Sequence, residues 1–192
     1  MSINFRGSKT EQNLINAFAG ESQARNRYTF FAKTAKKEGY IQIAQIFEET
    51  ANNEYEHAKL FYKHIEGLTS GHVDSCYPFG FGTTEDNLLN AIKGETDEAF
   101  ELYPNAERIA LEEGFDAVAS TFKHVIVSEI HHMERYKKLY DELKNGTLYK
   151  KENSEKWICS ECGYIYEGNQ VPDYCPNCYH PKGYFKILCE KY

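Results

Sequence analysis

The segment Asn13-Leu-Ile-Asn-Ala-Phe-Ala-Gly-Glu21 recurs 74 residues later as Asn87-Leu-Leu-Asn-Ala-Ile-Lys-Gly-Glu95. A second pair of matching segments, Glu54-Tyr-Glu-His57 and Glu129-Ile-His-His132, is separated by 75 residues. Matches at a nearly fixed offset indicate one structural unit that is used twice. We therefore expect the first 146 residues to form two similar halves, with one extra residue in the second.

Apolar residues in each half recur at intervals of three and four positions, the period of a helix with one buried face. Ser8 and Glu11 have the spacing of a capping box at the start of the first helix. Pro104 predicts a kink in the third helix. Residues 67–83 are rich in glycine and long enough to cross a bundle. The pattern thus predicts an all-α ferritin-like four-helix bundle, in which a long crossover joins two helical hairpins.

One glutamate of each predicted helix lies on the apolar stripe; these are Glu21, Glu54, Glu95 and Glu129. Buried carboxylates without partners are strongly disfavoured, so four of them need a common counter-charge, which a pair of metal ions supplies. His57 and His132 each follow a glutamate by three positions and share its helix face. This is the ligand set of dinuclear carboxylate sites in helical bundles, and it suits iron or manganese and accepts zinc. The alternative is a set of buried salt bridges.

Glu98 breaks the similarity of the two halves. It lies one turn after Glu95, where the first half has Ala24. We interpret it as a seventh ligand that makes the two metal positions inequivalent, and the alternative is a solvated helix position. An oxidised metal would favour the anionic Glu98, whereas a reduced one could accept neutral His57. The sequence therefore predicts a centre that exchanges a ligand when its oxidation state changes.

Two C-x-x-C pairs near the C-terminus predict a second metal site, formed by Cys159, Cys162, Cys175 and Cys178. Four thiolates can surround one zinc or one iron, and the spacing does not separate the two. A redox-active iron is the better companion for a di-iron bundle. Cys76, Cys189 and His180 are expected to be unligated.

The chain is expected to have two domains. Residues 1–146 form the bundle, residues 147–156 are a polar linker, and residues 157–192 form a small four-cysteine domain, which needs its metal because so short a segment buries little core. The net charge of −7 and the lack of a basic stripe argue against a nucleic-acid partner. No apolar run approaches the roughly 20 residues of a membrane helix. Because the first ten residues do not look like a secretory signal, we expect a cytoplasmic protein without a membrane partner.

Over essentially its whole length, the sequence resembles the rubrerythrin family. The resemblance is carried by the two Glu-x-x-His and two Cys-x-x-Cys motifs, together with Ala19-Gly-Glu-Ser-Gln-Ala-Arg-Asn-Arg-Tyr28, Gly94-Glu-Thr-Asp-Glu98 and Tyr103-Pro104. No ligand position departs from the family pattern. The resemblance implies that Glu54 and Glu129 bridge two irons, that Glu21 is terminal on one iron, and that Glu95 and His132 are terminal on the other.

The resemblance further implies that Glu98 and His57 exchange as ligands of the first iron. Tyr28 and Tyr103 would form hydrogen bonds beside the centre, and the four cysteines would hold a third, rubredoxin-type iron. The implied activity is reduction of hydrogen peroxide to water in oxidative-stress defence, by a homodimer or larger homo-oligomer. Rubredoxin or an NAD(P)H-dependent flavoprotein would be the electron donor. The alternatives are a ferroxidase or iron-handling bundle, a non-enzymatic electron carrier, and superoxide reduction.

Overall fold

Helices occupy most of the chain as far as Lys144, and a small β-sheet follows. The computed structural model describes residues 4–190, so the first three and last two residues of the predicted domains lie outside it. The helices are α1 (Lys9–Lys37), α2 (Ile41–His64), α3 (Thr84–Asp97), α4 (Tyr103–Glu113) and α5 (Asp116–Lys144). α1 packs against α2, and α3 and α4 pack against α5. Residues 65–83 cross between these two hairpins, which confirms the predicted ferritin-like bundle.

The third helix of the bundle is interrupted by a π-helix, Glu98–Leu102, which joins α3 to α4. The N–H of Tyr103 donates to the carbonyl of Glu98, five residues earlier. The irregularity predicted at Pro104 therefore takes the form of a π-helix that begins before the proline. Proline has no N–H and its ring clashes with the carbonyl four residues back, so an ordinary α-helical turn does not fit here. The π-helix also accommodates the extra residue of the second half.

The bundle core consists of two apolar clusters with polar residues between them. One contains Tyr28, Phe31, Phe47 and Tyr136, and the other contains Leu14, Phe61, Tyr103 and Phe122. On α1, α2 and α5 the buried glutamate lies seven residues, two helical turns, from a large side chain of each cluster. The polar layer is thus enclosed above and below by closely packed apolar side chains.

The first residues of α1 differ in one respect from the predicted capping box. Ser8 Oγ accepts from the N–H of Glu11 at 3.1 Å, as expected for an N-cap. The Glu11 carboxylate instead accepts from the N–H of Gly7 at 2.6 Å. A complete capping box lies at the start of α3, between Thr83 and Asp86.

The C-terminal part is a three-stranded antiparallel sheet. Its strands are β1 (Lys150–Cys159), β2 (Ile165–Gln170) and β3 (Phe185–Ile187), in the order β2-β1-β3. Trp157 and Phe185 form its core with two of the cysteines. β1 occupies most of the segment predicted as a linker, and the domain boundaries stay a prediction. In the part of the chain that the structure describes, no helix is both long and apolar enough to span a membrane.

A close backbone approach joins this sheet domain to the bundle. Gly183 lies in a short 3-10 helix, Lys182–Tyr184, against the turn between α1 and α2. A Cβ atom on Gly183 would be 1.8 Å from the carbonyl oxygen of Gly39. Because both sides of this contact are backbone, only a glycine allows the two parts to meet this closely.

We expect Gly183→Ala to separate the sheet domain from the α1–α2 turn and to lower the free energy of unfolding by about 1–3 kcal/mol, the usual range for overpacking. Denaturant unfolding followed by circular dichroism measures this effect. Gly71→Ala is the control, since its Cβ would meet only the end of the Ile15 side chain, at 2.9 Å. Equal stability of the two variants would contradict the assignment.

Candidate metal centres

The four glutamates predicted on the apolar stripes converge in the polar layer of the bundle, each at most 1% exposed. They belong to two overlapping groups of candidate ligands. The first group is Glu21, Glu54, His57 and Glu129, and the second group is Glu54, Glu95, Glu129 and His132. Within each group the ligand atoms lie within 4.8 Å of one another. Two carboxylates are shared, so the geometry provides two adjacent cation positions.

Each of the four glutamates has one buried carboxylate oxygen that accepts no hydrogen bond among the described residues, although three of these oxygens lie 2.9–3.5 Å from Nδ1 of His57 or His132. These oxygens are Glu21 Oε2, Glu54 Oε1, Glu95 Oε2 and Glu129 Oε1. Unpaired buried carboxylate oxygens are costly unless a cation binds them. The donor set of oxygen and imidazole nitrogen therefore fits a pair of iron ions.

The two histidines present the same nitrogen to the carboxylates. His57 Nδ1 lies 2.9 Å from Glu54 Oε2 and 2.9 Å from Glu129 Oε1. His132 Nδ1 lies 2.9 Å from Glu129 Oε2 and 3.5 Å from Glu95 Oε2. Because both rings are directed by the Glu-x-x-His spacing on their helices, Nδ1 is the nitrogen available to a metal on each.

Two tyrosine hydroxyls bind Glu21 and Glu95, the two glutamates that each belong to just one of the ligand groups. Tyr28 Oη donates to Glu95 Oε1, and Tyr103 Oη donates to Glu21 Oε1. Each bond runs from one half of the repeat to the other and leaves the second carboxylate oxygen free. Glu21 and Glu95 are 74 residues apart in sequence, whereas Tyr28 and Tyr103 are 75 apart, so the π-helix keeps the two bonds equivalent.

Burial and mutual repulsion perturb the acids of this layer. Burial and the Glu54 carboxylate raise the pKa of Glu95 to about 8. Burial followed by the charges of Glu129 and Glu54 raises the pKa of Glu21 well above its usual value. Burial lowers the pKa of His57 and His132, but hydrogen bonds to carboxylates outweigh it and raise them to about 10 and about 12. Without metal, this cluster retains protons that an exposed set of the same groups would release.

Glu98 lies outside both groups, whereas His57 lies inside the first. The Glu98 side chain is half-buried, and its Oε1 would be 3.8 Å from a Cβ on Gly20. It lines a cavity of about 270 Å³ together with Gly20, Tyr103 and the crossover residue Tyr77. Its assignment as a seventh ligand stays a prediction.

A cleft of about 330 Å³ lies beside the histidines and is lined by Asn53, His57, Ser128 and His132, among others. His132 Nε2 lies 3.3 Å from Asn53 Oδ1 in this cleft. Asn53 was not among the site residues predicted from the sequence. The repeat held a signal for it, because Asn53 and Ser128 occupy equivalent positions directly before the shared glutamates.

The four predicted cysteines form a third group, with ligand atoms within 4.8 Å of one another. Cys159 Sγ lies 3.8 Å from Cys178 Sγ, and Cys162 Sγ lies 3.7 Å from Cys175 Sγ. Free thiols packed this closely fit one tetrahedral metal ion. In the described part of the chain, Cys76, Cys189, His64, His72, His124, His131 and His180 belong to none of the three groups.

The fold and these groups define a carboxylate-bridged di-iron protein with a rubredoxin-like domain. The sequence profile of the family "Rubrerythrin" matches residues 12–140, and that of "Rubrerythrin, rubredoxin-like domain" matches residues 157–186. The chain belongs to the rubrerythrin family, whose members are di-iron proteins of oxidative-stress defence.

Individual relatives match over nearly their whole length. Rubrerythrin-1 of Clostridium acetobutylicum is 48% identical and the match covers 97% of this chain and 98% of that protein. Rubrerythrin of Nitratidesulfovibrio vulgaris is 44% identical, with 95% and 96% covered. The structure of fully reduced, all-ferrous nigerythrin is similar with a TM-score of 0.63 and 34% identity, over 95% of this chain and 87% of that one.

The raised pKa values predict how the stability of the metal-free protein depends on pH. The pKa of Glu95 rises from 4.5 in the unfolded chain to about 8 in the folded protein, and the pKa of His57 rises from 6.5 to about 10. The folded state therefore binds more protons than the unfolded chain. The stabilisation from these groups is therefore complete below the pKa values of the unfolded chain, and it is lost as the pH rises toward the pKa values of the folded protein. The pKa of Glu129 is instead lowered, from 4.5 to about 2, and this shift changes the stability only below about pH 4.5.

Between about pH 5 and pH 8 we expect the Tm of the metal-free protein to fall by roughly 3–6 °C per pH unit for each extra bound proton. Thermal unfolding after chelation measures this slope. Glu95→Gln should make the slope shallower, because it removes one of the titrating groups. A Tm that rises with pH in this range would contradict the assignment.

Proposed function

We propose that the protein reduces hydrogen peroxide to water. The observation that carries this proposal is the presence of two kinds of metal site in one chain, a paired carboxylate site beside a small cavity and a four-thiolate site. The first is suited to a two-electron reaction of a small molecule. The second is suited to the supply of single electrons, which iron storage does not require.

In this proposal Glu54 and Glu129, which both groups share, bridge the two ions. Glu21 is terminal at the first position, and Glu95 and His132 are terminal at the second. A bound pair of iron ions supplies the electrons and the Lewis acidity needed to break the O–O bond. The chain holds the ligands in place through the two tyrosine hydroxyls and excludes bulk water with the apolar clusters on either side.

Glu98 and His57 are proposed to exchange at the first position when the oxidation state changes. The two side chains approach it from different directions, since Glu98 lines the cavity beside Tyr103 and His57 lines the cleft beside Asn53. The cavity that adjoins Tyr103 and Glu98 is the proposed binding space for peroxide. At about 270 Å³ it admits small molecules only.

The four cysteines are proposed to hold one iron that returns electrons one at a time. Rubredoxin or an NAD(P)H-dependent flavoprotein would reduce this iron, in a cytoplasmic homodimer or larger homo-oligomer. The overall reaction consumes two electrons and two protons for each hydrogen peroxide and releases two waters.

A stopped-flow experiment tests the proposal. The iron-loaded protein is reduced anaerobically and mixed with hydrogen peroxide or, separately, with air-saturated buffer. We expect reoxidation by peroxide to be at least about tenfold faster than by oxygen, with return of the ferric-thiolate absorption. The reverse order would favour a ferroxidase, and the absence of any redox-dependent colour would assign the four-thiolate site to zinc.

Cys162→Ser should separate the two functions. It removes one thiolate from the four-cysteine group, so turnover with an external reductant should slow at least about tenfold. One stoichiometric oxidation of the pre-reduced carboxylate site by peroxide should be unchanged. Cys189→Ser, an exposed thiol outside the group, is the matched control. Loss of the single turnover in Cys162→Ser would oppose this division of roles.

A further inference from the structure

The two histidines differ at Nε2, the ring nitrogen that faces away from the carboxylates, because only His132 has a hydrogen-bond partner there among the described residues. His132 Nε2 lies 3.3 Å from Asn53 Oδ1. Asn53 is on α2 and directly precedes Glu54, while His132 is on α5. The side chain of one half therefore holds the histidine of the other half, as the tyrosines hold the glutamates.

The direction of this hydrogen bond follows from the other nitrogen. Nδ1 of His132 faces three carboxylates and must be unprotonated to bind a metal. Nε2 then carries the proton and donates, so the Asn53 amide must present its oxygen to the ring. A ligand histidine held in this way keeps its orientation and its tautomer.

His57 has no such partner. The residue that corresponds to Asn53 in the second half is Ser128, which is half-buried and lines the same cleft. The oxygen of serine is one bond closer to the main chain than that of asparagine. Among the described residues, His57 Nε2 has no hydrogen-bond partner, although His57 is only 8% exposed. The cleft of about 330 Å³ provides space beside its ring.

We propose that Asn53 is a positioning residue that fixes His132 at the second metal position, and that Ser128 leaves His57 free to exchange. The residue pair Asn53 and Ser128 then sets which histidine is free to move, while Glu98, which has Ala24 as its counterpart, supplies the ligand that replaces it. This inference rests on the proposed ligand roles and deepens them, because it accounts for the mobility of His57 that an exchange with Glu98 requires.

Metal affinity tests the proposal without any turnover. Co²⁺ is titrated into the metal-free protein against a competing chelator, and its visible absorption reports the coordination of each position. Asn53→Ser should weaken one of the two positions by about tenfold, the lower end of the effect expected for an outer-shell partner of a ligand. Asn53→Asp retains an acceptor oxygen and should restore the affinity. Asn52→Ser is the matched control, since Asn52 is the neighbour on the same helix and is exposed like Asn53, but only Asn53 contacts His132.

The converse variant is Ser128→Asn, which gives His57 the partner that it lacks. Crystal structures of this variant with iron, in the oxidised and the reduced state, should both show His57 bound, whereas the wild type should show it bound only when reduced. In the double variant Asn53→Ser/Ser128→Asn, His57 should stay bound in both states, and the second position should have the lower affinity for Co²⁺.

Two results would overturn the proposal. One is an Asn53→Ser protein with the Co²⁺ affinities and absorption of Asn52→Ser, and the other is a Ser128→Asn protein in which His57 still leaves on oxidation. If Ser128→Asn does not fold, the Co²⁺ affinities of the Asn53 variants still test the proposal. A protein that fails to reduce peroxide but shows the expected affinities would refute the proposed function and retain this inference.

Discussion

The burial of four carboxylates in one layer is the constraint on which the rest of the molecule depends. Each contributes an oxygen that accepts no hydrogen bond in the described part of the chain, so the layer is stable only when cations or protons neutralise it. The apolar clusters on either side prevent water from doing so, and the tyrosines satisfy only one oxygen of Glu21 and one of Glu95. The centre of the bundle is thus stabilised by bound cations or protons, which the amino acids alone do not provide.

The site is built from two equivalent halves that differ at a few positions. The carboxylates that both ligand groups share and the crossed tyrosine bonds are common to the two halves, whereas the π-helix, Glu98 and the Asn53/Ser128 pair are not. A perfectly symmetric centre would offer two identical positions, and no ligand change would distinguish them. Glu98 lines the cavity beside Tyr103, and Asn53 and Ser128 line the cleft beside the two histidines.

The sequence predicted the helices, the crossover and the clustering of six of the seven bundle residues assigned as ligands, because helical periodicity and the repeat depend on local spacing. It did not predict the form of the helix break before Pro104, since backbone hydrogen-bond shifts leave no pattern of side chains. β1 was not predicted either, because residues 150–156 are polar and only Lys150, Glu155 and Lys156 among them pair with β2, through the main chain. The Asn53 bond depends on the distance between two helices, which a linear pattern does not contain.

The crossed tyrosine bonds also affect how the chain folds. They join residues 67 and 82 positions apart in sequence, while each helical hairpin is held by contacts much closer along the chain. Local contacts form quickly, and distant ones must first overcome the entropy of closing a long loop. Each hairpin therefore has its helices before it has its binding site. The polar layer is completed only when the hairpins meet, so metal capture belongs to the last stage of folding.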